Sequence, residues 1–296
     1  MNANPGQAAS EFAWGVYKQW AKTSRAAKKR LNLWQKITIG ASILALVLGP
    51  IAVGHLALTW LCSAIVALVA FFNKQLLGTD RQQSWVQARQ SAEAIKSETF
   101  RRLTSAPPYA AEAAEADATL LKRVEEIHRL AEAIPRETAT AEEKLDGFPR
   151  QIDGAAYLQL RVVDQIGFYE TNSAGEQKTA DGYKHLGLAL GALVIVVGIP
   201  APFLMHGTVE PWAPVISALA GLLGAQIAQS RTEFLARRYR AAGDRLQFVK
   251  QRFGSGVMTP ERCQALADQA EQVIMAENAA WVSDQLGLAK GSDPAK

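Results

Sequence analysis

An all-α fold is predicted: an integral membrane protein with four transmembrane helices in two hairpins, and helical extensions on the cytoplasmic side. Three observations predict it. The apolar residues are gathered into two long blocks, and all 32 Lys and Arg lie outside those blocks. No segment shows the period-two alternation of a strand bounded by turn signals.

The blocks come first. Ile37 to Asn73 contains no Lys, Arg, Asp or Glu, and His185 to Ser230 contains only Glu210. A membrane helix needs roughly 20 apolar residues, with a lower limit near 17. Each block therefore holds two crossings. Gly54-His55 divides the first into Ile37–Val53 and Leu56–Phe72. His206 to Pro211 divides the second into Leu186–Met205 and Trp212–Gln229. Buried helices of soluble proteins seldom run so far without a charge. The first run starts late for a signal peptide, and a second apolar run follows at once with no small-residue cleavage site, so a retained N-terminus is expected.

Charge sets the orientation. Lys28, Lys29, Arg30 and Lys36 precede the first span, and Lys74 and Arg81 follow the second. Lys178 and Lys184 precede the third, and Arg231, Arg237, Arg238 and Arg240 follow the fourth. The hairpin connections carry no Lys or Arg. By the positive-inside rule both termini and the central region are expected in the cytoplasm. The net charge of +4 is then a topological signal, and membrane lipids rather than nucleic acid are the expected partner. Arg231, Arg237, Arg238 and Arg240 are candidate contacts to anionic headgroups or to another anionic ligand.

The order of features repeats: amphipathic helix, two-span hairpin, long basic helix. A shift of 149 places Trp20 on Tyr169 and Trp34 on Tyr183; after the spans a shift of about 151 places Arg89 on Arg240 and Glu93 on Asp244. A parallel repeat suggests duplication. The expected parts are residues 1–135 as the first copy, 136–156 as a linker, and 157–296 as the second copy. Helix is expected over Ser84–Leu103, ended by Pro107-Pro108, and over Ala110–Ala133, which is rich in helix formers. Helix is also expected from Tyr157 to Tyr169, from Ser230 to Phe253 directly out of the fourth span, and from Thr259-Pro260-Glu261 to about Gln285. In the last, Thr259 is the N-cap and Pro260 the first helical residue.

The second copy resembles the SLATT family of bacterial two-transmembrane domains. The residues that carry the resemblance are the run Tyr157-Leu-Gln-Leu-Arg161 through Tyr169 and the two-span hairpin. Arg240, Asp244, Leu246 and Phe248 of the basic helix, and the closing Glu277-Asn278-Ala-Ala-Trp281, complete it. The first copy matches more loosely through Trp20, Arg89, Glu93, Lys96 and Glu98, without the Tyr-x-x-x-Arg start or the Glu-Asn-x-x-Trp ending. The resemblance implies a bacterial inner-membrane effector, pore-forming or membrane-disrupting, in antiviral conflict systems. A nucleotide second messenger or a regulatory protein is its implied signal.

Catalytic motifs are not found. There is no P-loop or dinucleotide loop, no His-Glu-x-x-His and no Gly-x-Ser-x-Gly, so no enzyme activity and no cofactor are expected. Four His and two Cys, Cys62 and Cys263, show no metal-ligand spacing. Glu125, Glu126 and His128 read as a solvated helical face.

Within the spans, Gly187, Gly191, Gly221 and Gly224 stand on small faces that let helices approach closely, inside one bundle or between copies of a homo-oligomer. Ser42, Ser63 and Ser217 either line a path or bond to backbone carbonyls. Asn73, Gln226 and Gln229 sit near the cytoplasmic ends, at a pore mouth or at headgroup depth. The absence of a mid-span charge argues against an ion-coupled transporter. Two functions remain: an oligomeric pore or membrane-disrupting effector opened by a cytoplasmic signal, or a non-conducting membrane-anchored scaffold that recruits cytoplasmic partners.

Overall fold

The structure, a computed structural model, describes residues 5–52, 54–150, 152–198 and 212–291. Among these every regular element is a helix. The chain forms α1 (Pro5–Ala52), α2 (Leu56–Leu76), α3 (Thr79–Leu103), α4 (Ala113–Arg129), α5 (Ala141–Leu145) and α6 (Gly154–Tyr157). A wide π-type turn over Leu158–Val163 leads into α7 (Asp164–Gly198), followed by α8 (Ala213–Ser230), α9 (Thr232–Phe253) and α10 (Pro260–Gly291). Two compact units result. One comprises Met1–Lys29, Thr79–Thr171 and Arg238–Lys296; the other comprises Arg30–Gly78 and Asn172–Arg237. Each draws on both halves of the sequence.

The first unit is a helical bundle with a conventional core. On α1, Ala9, Ala13 and Trp20 are buried; on α3, Ala88, Ala92 and Ile95; on α4, Ala116, Leu120 and Val124. These recur three, four or seven apart, so each helix turns one stripe inward. The alanines let the backbones close around the Trp20 ring. On α10, Leu266, Ala267, Ala270 and Ile274 form the matching stripe of the second half, and α3 packs along α10.

Three local features depart from the sequence expectation. First, α3 ends at the expected Leu103, but its own backbone stops it ahead of Pro107-Pro108. Ser105 adopts the left-handed conformation at φ 52°. The Ala106 N–H donates to Arg101 O at 2.9 Å and the Ser105 N–H to Arg102 O at 3.2 Å. This pair of bonds is the Schellman arrangement that satisfies the last carbonyls of a helix. Second, the expected linker carries structure. Thr140 and Glu143 form a reciprocal capping box on α5, and the segment is tied to α1. Trp14 Nε1 donates to Asp146 O at 3.1 Å, Lys18 pairs with Asp146 at 2.9 Å and Lys22 with Glu143 at 3.0 Å. Third, α9 does not continue from the fourth apolar segment. Arg231, at φ 47°, breaks the helix there. The expected N-cap of α10 is present, with the Arg262 N–H donating to Thr259 Oγ1 at 3.3 Å.

The second unit contains the apolar segments. α1 and α2 meet at a turn in which Gly54 takes φ +85°, a conformation costly for any residue with a Cβ. The Thr59 hydroxyl crosses this turn to donate to Ala52 O at 3.1 Å. Near the other end of the hairpin, Trp34 and Phe72 stack with centroids 5.9 Å apart. Among the described residues, two helical stretches, Gln7–Ala52 and Leu56–Leu103, are long and apolar enough to cross a membrane, and a shorter apolar helix covers Val215–Gly224. The apolar window of the second stretch has no residue buried, and that of the first has 17%. Leu56 and Trp60 are 76% and 70% exposed. A core helix of a soluble protein would show the reverse. The second expected turn, with Pro200, Pro202 and Glu210, falls in residues 199–211, which lie outside the described residues.

Candidate functional site

The apolar helices of the second unit leave space between them. A cavity of about 480 Å³ is lined by Ser42, Ala45 and Leu46 of α1, Val66 and Val69 of α2, and Ala218, Gly221 and Leu222 of α8. Ser42 is its one side-chain hydroxyl, and that hydroxyl donates to Thr38 O at 2.8 Å. A serine bonded back to its own helix is satisfied without water. The cavity is therefore an apolar crevice with no ion-coordinating group among its lining side chains.

The candidate helix-packing glycines divide. A Cβ at Gly187 would meet Leu223 Cδ2 at 4.0 Å, whereas at Gly191, Gly221 or Gly224 it would meet nothing within 4 Å. Among the described residues these three are left uncovered by the chain's own helices. Of the candidate pore residues, Ser63, Asn73 and Ser217 are exposed on their helices. The side chains of Gln226 and Gln229 lie outside the described residues.

The four candidate anion-contact arginines also separate. Arg238 is engaged within the first unit: it forms an ion pair with Asp284 and donates to Glu277 O at 3.2 Å. Arg240 is exposed on α9. Arg231 and Arg237 flank the start of α9 in the second unit, together with Lys184. Lys184 forms an ion pair with Glu233 at 2.5 Å, and this contact raises the Lys184 pKa and lowers that of Glu233.

Inside the first unit lies a buried charge cluster in which Tyr157 and Arg161, both carriers of the family resemblance, meet Glu271. Arg161 Nε and Nη2 donate to the two oxygens of Glu271 at 2.8 and 2.9 Å. Tyr157 donates to Glu271 Oε1 at 3.1 Å. The guanidinium carbon of Arg161 sits 5.0 Å from the centre of the Phe100 ring. Burial works to discharge this guanidinium, and the Glu271 carboxylate outweighs it, so the Arg161 pKa stays above its ordinary value. Lys96 stands in the same field. Burial, and then the Arg161 charge, lower its pKa.

This cluster joins the two halves of the sequence, because Phe100 and Lys96 belong to α3 and Arg161 and Glu271 to the second half. The join continues along α3. Trp85 meets Trp281 edge to face at 5.3 Å, Arg89 stacks on the Trp281 ring at 3.9 Å, and Arg101 pairs with Asp268 at 3.3 Å. The tail pattern Glu277-Asn278-x-x-Trp281 is thus part of a packed junction: Glu277 supplies a carbonyl to Arg238, Asn278 is buried, and Trp281 receives α3. Arg161 and Glu271 pair at two points, and this contact fixes the position of both side chains. Glu271 had a signal in the sequence: it is a carboxylate on the apolar stripe Leu266, Ala267, Ala270, Ile274. Among the described residues no three His, Cys, Asp or Glu are placed to hold a metal ion, and Cys62 and Cys263 are free thiols.

Residues 157–281 match the family described as SMODS and SLOG-associating 2TM effector domain 1. Residues 15–148 match SMODS and SLOG-associating 2TM effector domain 3. No curated protein and no solved structure matches the chain.

Proposed function

Because the chain carries two SLATT domains in tandem, and so belongs to that family of two-transmembrane effector domains, we propose that it is an oligomeric pore or membrane-disrupting effector. In this reading four segments cross the inner membrane, at residues 37–53, 56–72, 186–205 and 212–229, with both termini cytoplasmic. A nucleotide or a regulatory protein, arriving at the soluble helices, releases the spans to assemble and open. Antiviral conflict defence is the setting that the family resemblance supports.

The observation that carries the proposal is the apolar surface left uncovered by a single chain. The apolar window of α2 has no buried residue. The crevice between α1, α2 and α8 is open, and Gly191, Gly221 and Gly224 face space. Lipid covers such a surface equally well, but small-residue faces gain most from a second helix, because backbones then approach closely. Orientation is supported by the Lys and Arg distribution.

Regulated expression in bacteria carrying a potential-sensitive dye tests the reading. In cells that supply the signal, collapse of membrane potential is expected before growth stops. An unchanged potential in signal-positive cells would sink the pore reading. One feature favours the scaffold alternative: Leu130, just past the end of α4, and Phe248 on α9 are 83% and 74% exposed, apolar surface suited to a partner protein. On that alternative the soluble helices keep partner binding when an unrelated anchor replaces the spans, and the potential never moves.

A further inference from the structure

The break between α8 and α9 is a built feature. Arg231 closes α8 through its N–H to Ile227 O, and its own carbonyl accepts from the Leu235 N–H of the next helix. Its left-handed backbone is unusual for an arginine. Beside this break lies a cavity of about 280 Å³. Lys184 enters from α7, with Tyr183 next to it; Arg231 and Arg237 enter from the other wall. Among the lining side chains one carboxylate, Glu233, faces these three cations, and Asp181 acts on Lys184 from outside the lining, so positive charge remains in excess. The first N–H groups of α9, which is 22 residues long, add their partial positive charge. Among the described residues, the Arg231 guanidinium has no hydrogen bond or ion pair.

The remaining wall is apolar. Ile227 and Phe234 line it, and Ile227 is the final described side chain of the apolar helix α8. Cations and a hydrocarbon wall in one cavity, at the end of an apolar helix, match a ligand that is itself anionic at one end and apolar at the other. Its size decides further. Cavities that enclose whole small-molecule ligands run from about 300 to 1,000 Å³; this one stands at the lower edge of that range and has room for a headgroup, with the rest of a larger molecule outside.

We propose that this cavity holds the phosphate of an anionic glycerophospholipid on Lys184, Arg231 and Arg237. The acyl chains leave past Ile227 along the exposed face of α8. Glu233 is the internal competitor: it occupies Lys184 when no lipid is present and yields it to the phosphate. Basic pockets beside membrane helices on the cytoplasmic side recognise anionic headgroups by this chemistry. The inference rests on α8 lying in a bilayer and does not depend on pore opening.

Native mass spectrometry of the full-length protein in detergent, titrated with phosphatidylglycerol or phosphatidylcholine, tests it. The wild type is expected to retain phosphatidylglycerol over phosphatidylcholine by about tenfold. Arg231→Gln/Arg237→Gln removes that preference. The charge-matched Lys178→Gln/Arg245→Gln, at exposed positions outside the cavity, keeps it. Glu233→Gln removes the competitor and raises retention about threefold, an opposite change that a folding defect does not mimic. Equal loss in both double variants would overturn the proposal in favour of diffuse attraction. Displacement of the lipid by millimolar inorganic phosphate would overturn the lipid as the ligand in favour of a soluble phosphate. Loss of lipid preference leaves the pore reading standing, and unchanged membrane potential in cells leaves this one standing.

Discussion

At the scale of the residue, Arg161 and Glu271 show how a buried pair depends on completeness. Their side chains are 1% and 0% exposed. Each loses its hydration on folding, and only the two-point contact and the Tyr157 hydroxyl return it. Glu271→Gln leaves the guanidinium buried without a counter-charge. A loss of about 3–5 kcal/mol is expected for a broken buried pair, read as a lowered midpoint in denaturant unfolding of the full chain in detergent. Arg161→Met/Glu271→Leu, which removes both charges, is expected to recover most of that loss. A single variant as stable as the wild type would show that water reaches the pair. The sequence shows Arg161 four residues after Tyr157, and that spacing places them on one helical face. It does not show that Glu271, 110 positions away, is the partner, because helical periodicity reports a face and not what lies opposite it.

At the scale of the element, the apolar runs were legible because so long a stretch without charge is rare in a helix that water surrounds, and α1 and α2 cover the first block. The stops were less legible. Prolines at 107 and 108 are the visible stop signal, whereas the Schellman bonds that end α3 form at Ser105, a residue type with no such signal. No glycine or proline marks the break at Arg231. Docking of residues 137–146 on α1 rests on the ion pairs of Lys18 and Lys22, on the Thr23 hydroxyl and on the buried Trp14, and residue type alone does not reveal these partners. Ser105 supplies a test of the α3 terminus. A residue with a Cβ pays about 1–2 kcal/mol in the left-handed region, and glycine returns part of that through greater freedom when unfolded. Ser105→Gly is therefore expected to stabilise the first unit by about 0.5–1 kcal/mol, seen as a higher unfolding midpoint. A lower midpoint would mean that the hydroxyl, and not the backbone, holds the corner.

At the scale of the whole molecule, the uncovered glycines separate folding from assembly. A side chain at Gly224 meets nothing described within 4 Å in its own chain. Gly224→Leu is expected to leave helical content and the monomer unchanged while preventing close approach of another copy. Mass photometry in detergent reads this as a shift from oligomer to single chains. An unaltered oligomer would place the contact on another face, with Gly191 as the next position to substitute. The apolar character of these segments was evident in the sequence. Which small residues a neighbour already covers was not, since Gly187 and Gly224 have the same side chain and differ only in what stands beside them.

The shared core of α3 and α10 bears on how such a chain persists. Duplicated genes usually drift because one copy shelters the other from loss. Here Trp85 and Arg89 of one half are completed by Trp281 of the other, and Phe100 covers Arg161. Neither half is a spare. Damage to the less recognisable first half removes a wall of the second, so a change at Trp85, Arg89 or Phe100 is expected to unsettle the second half as well.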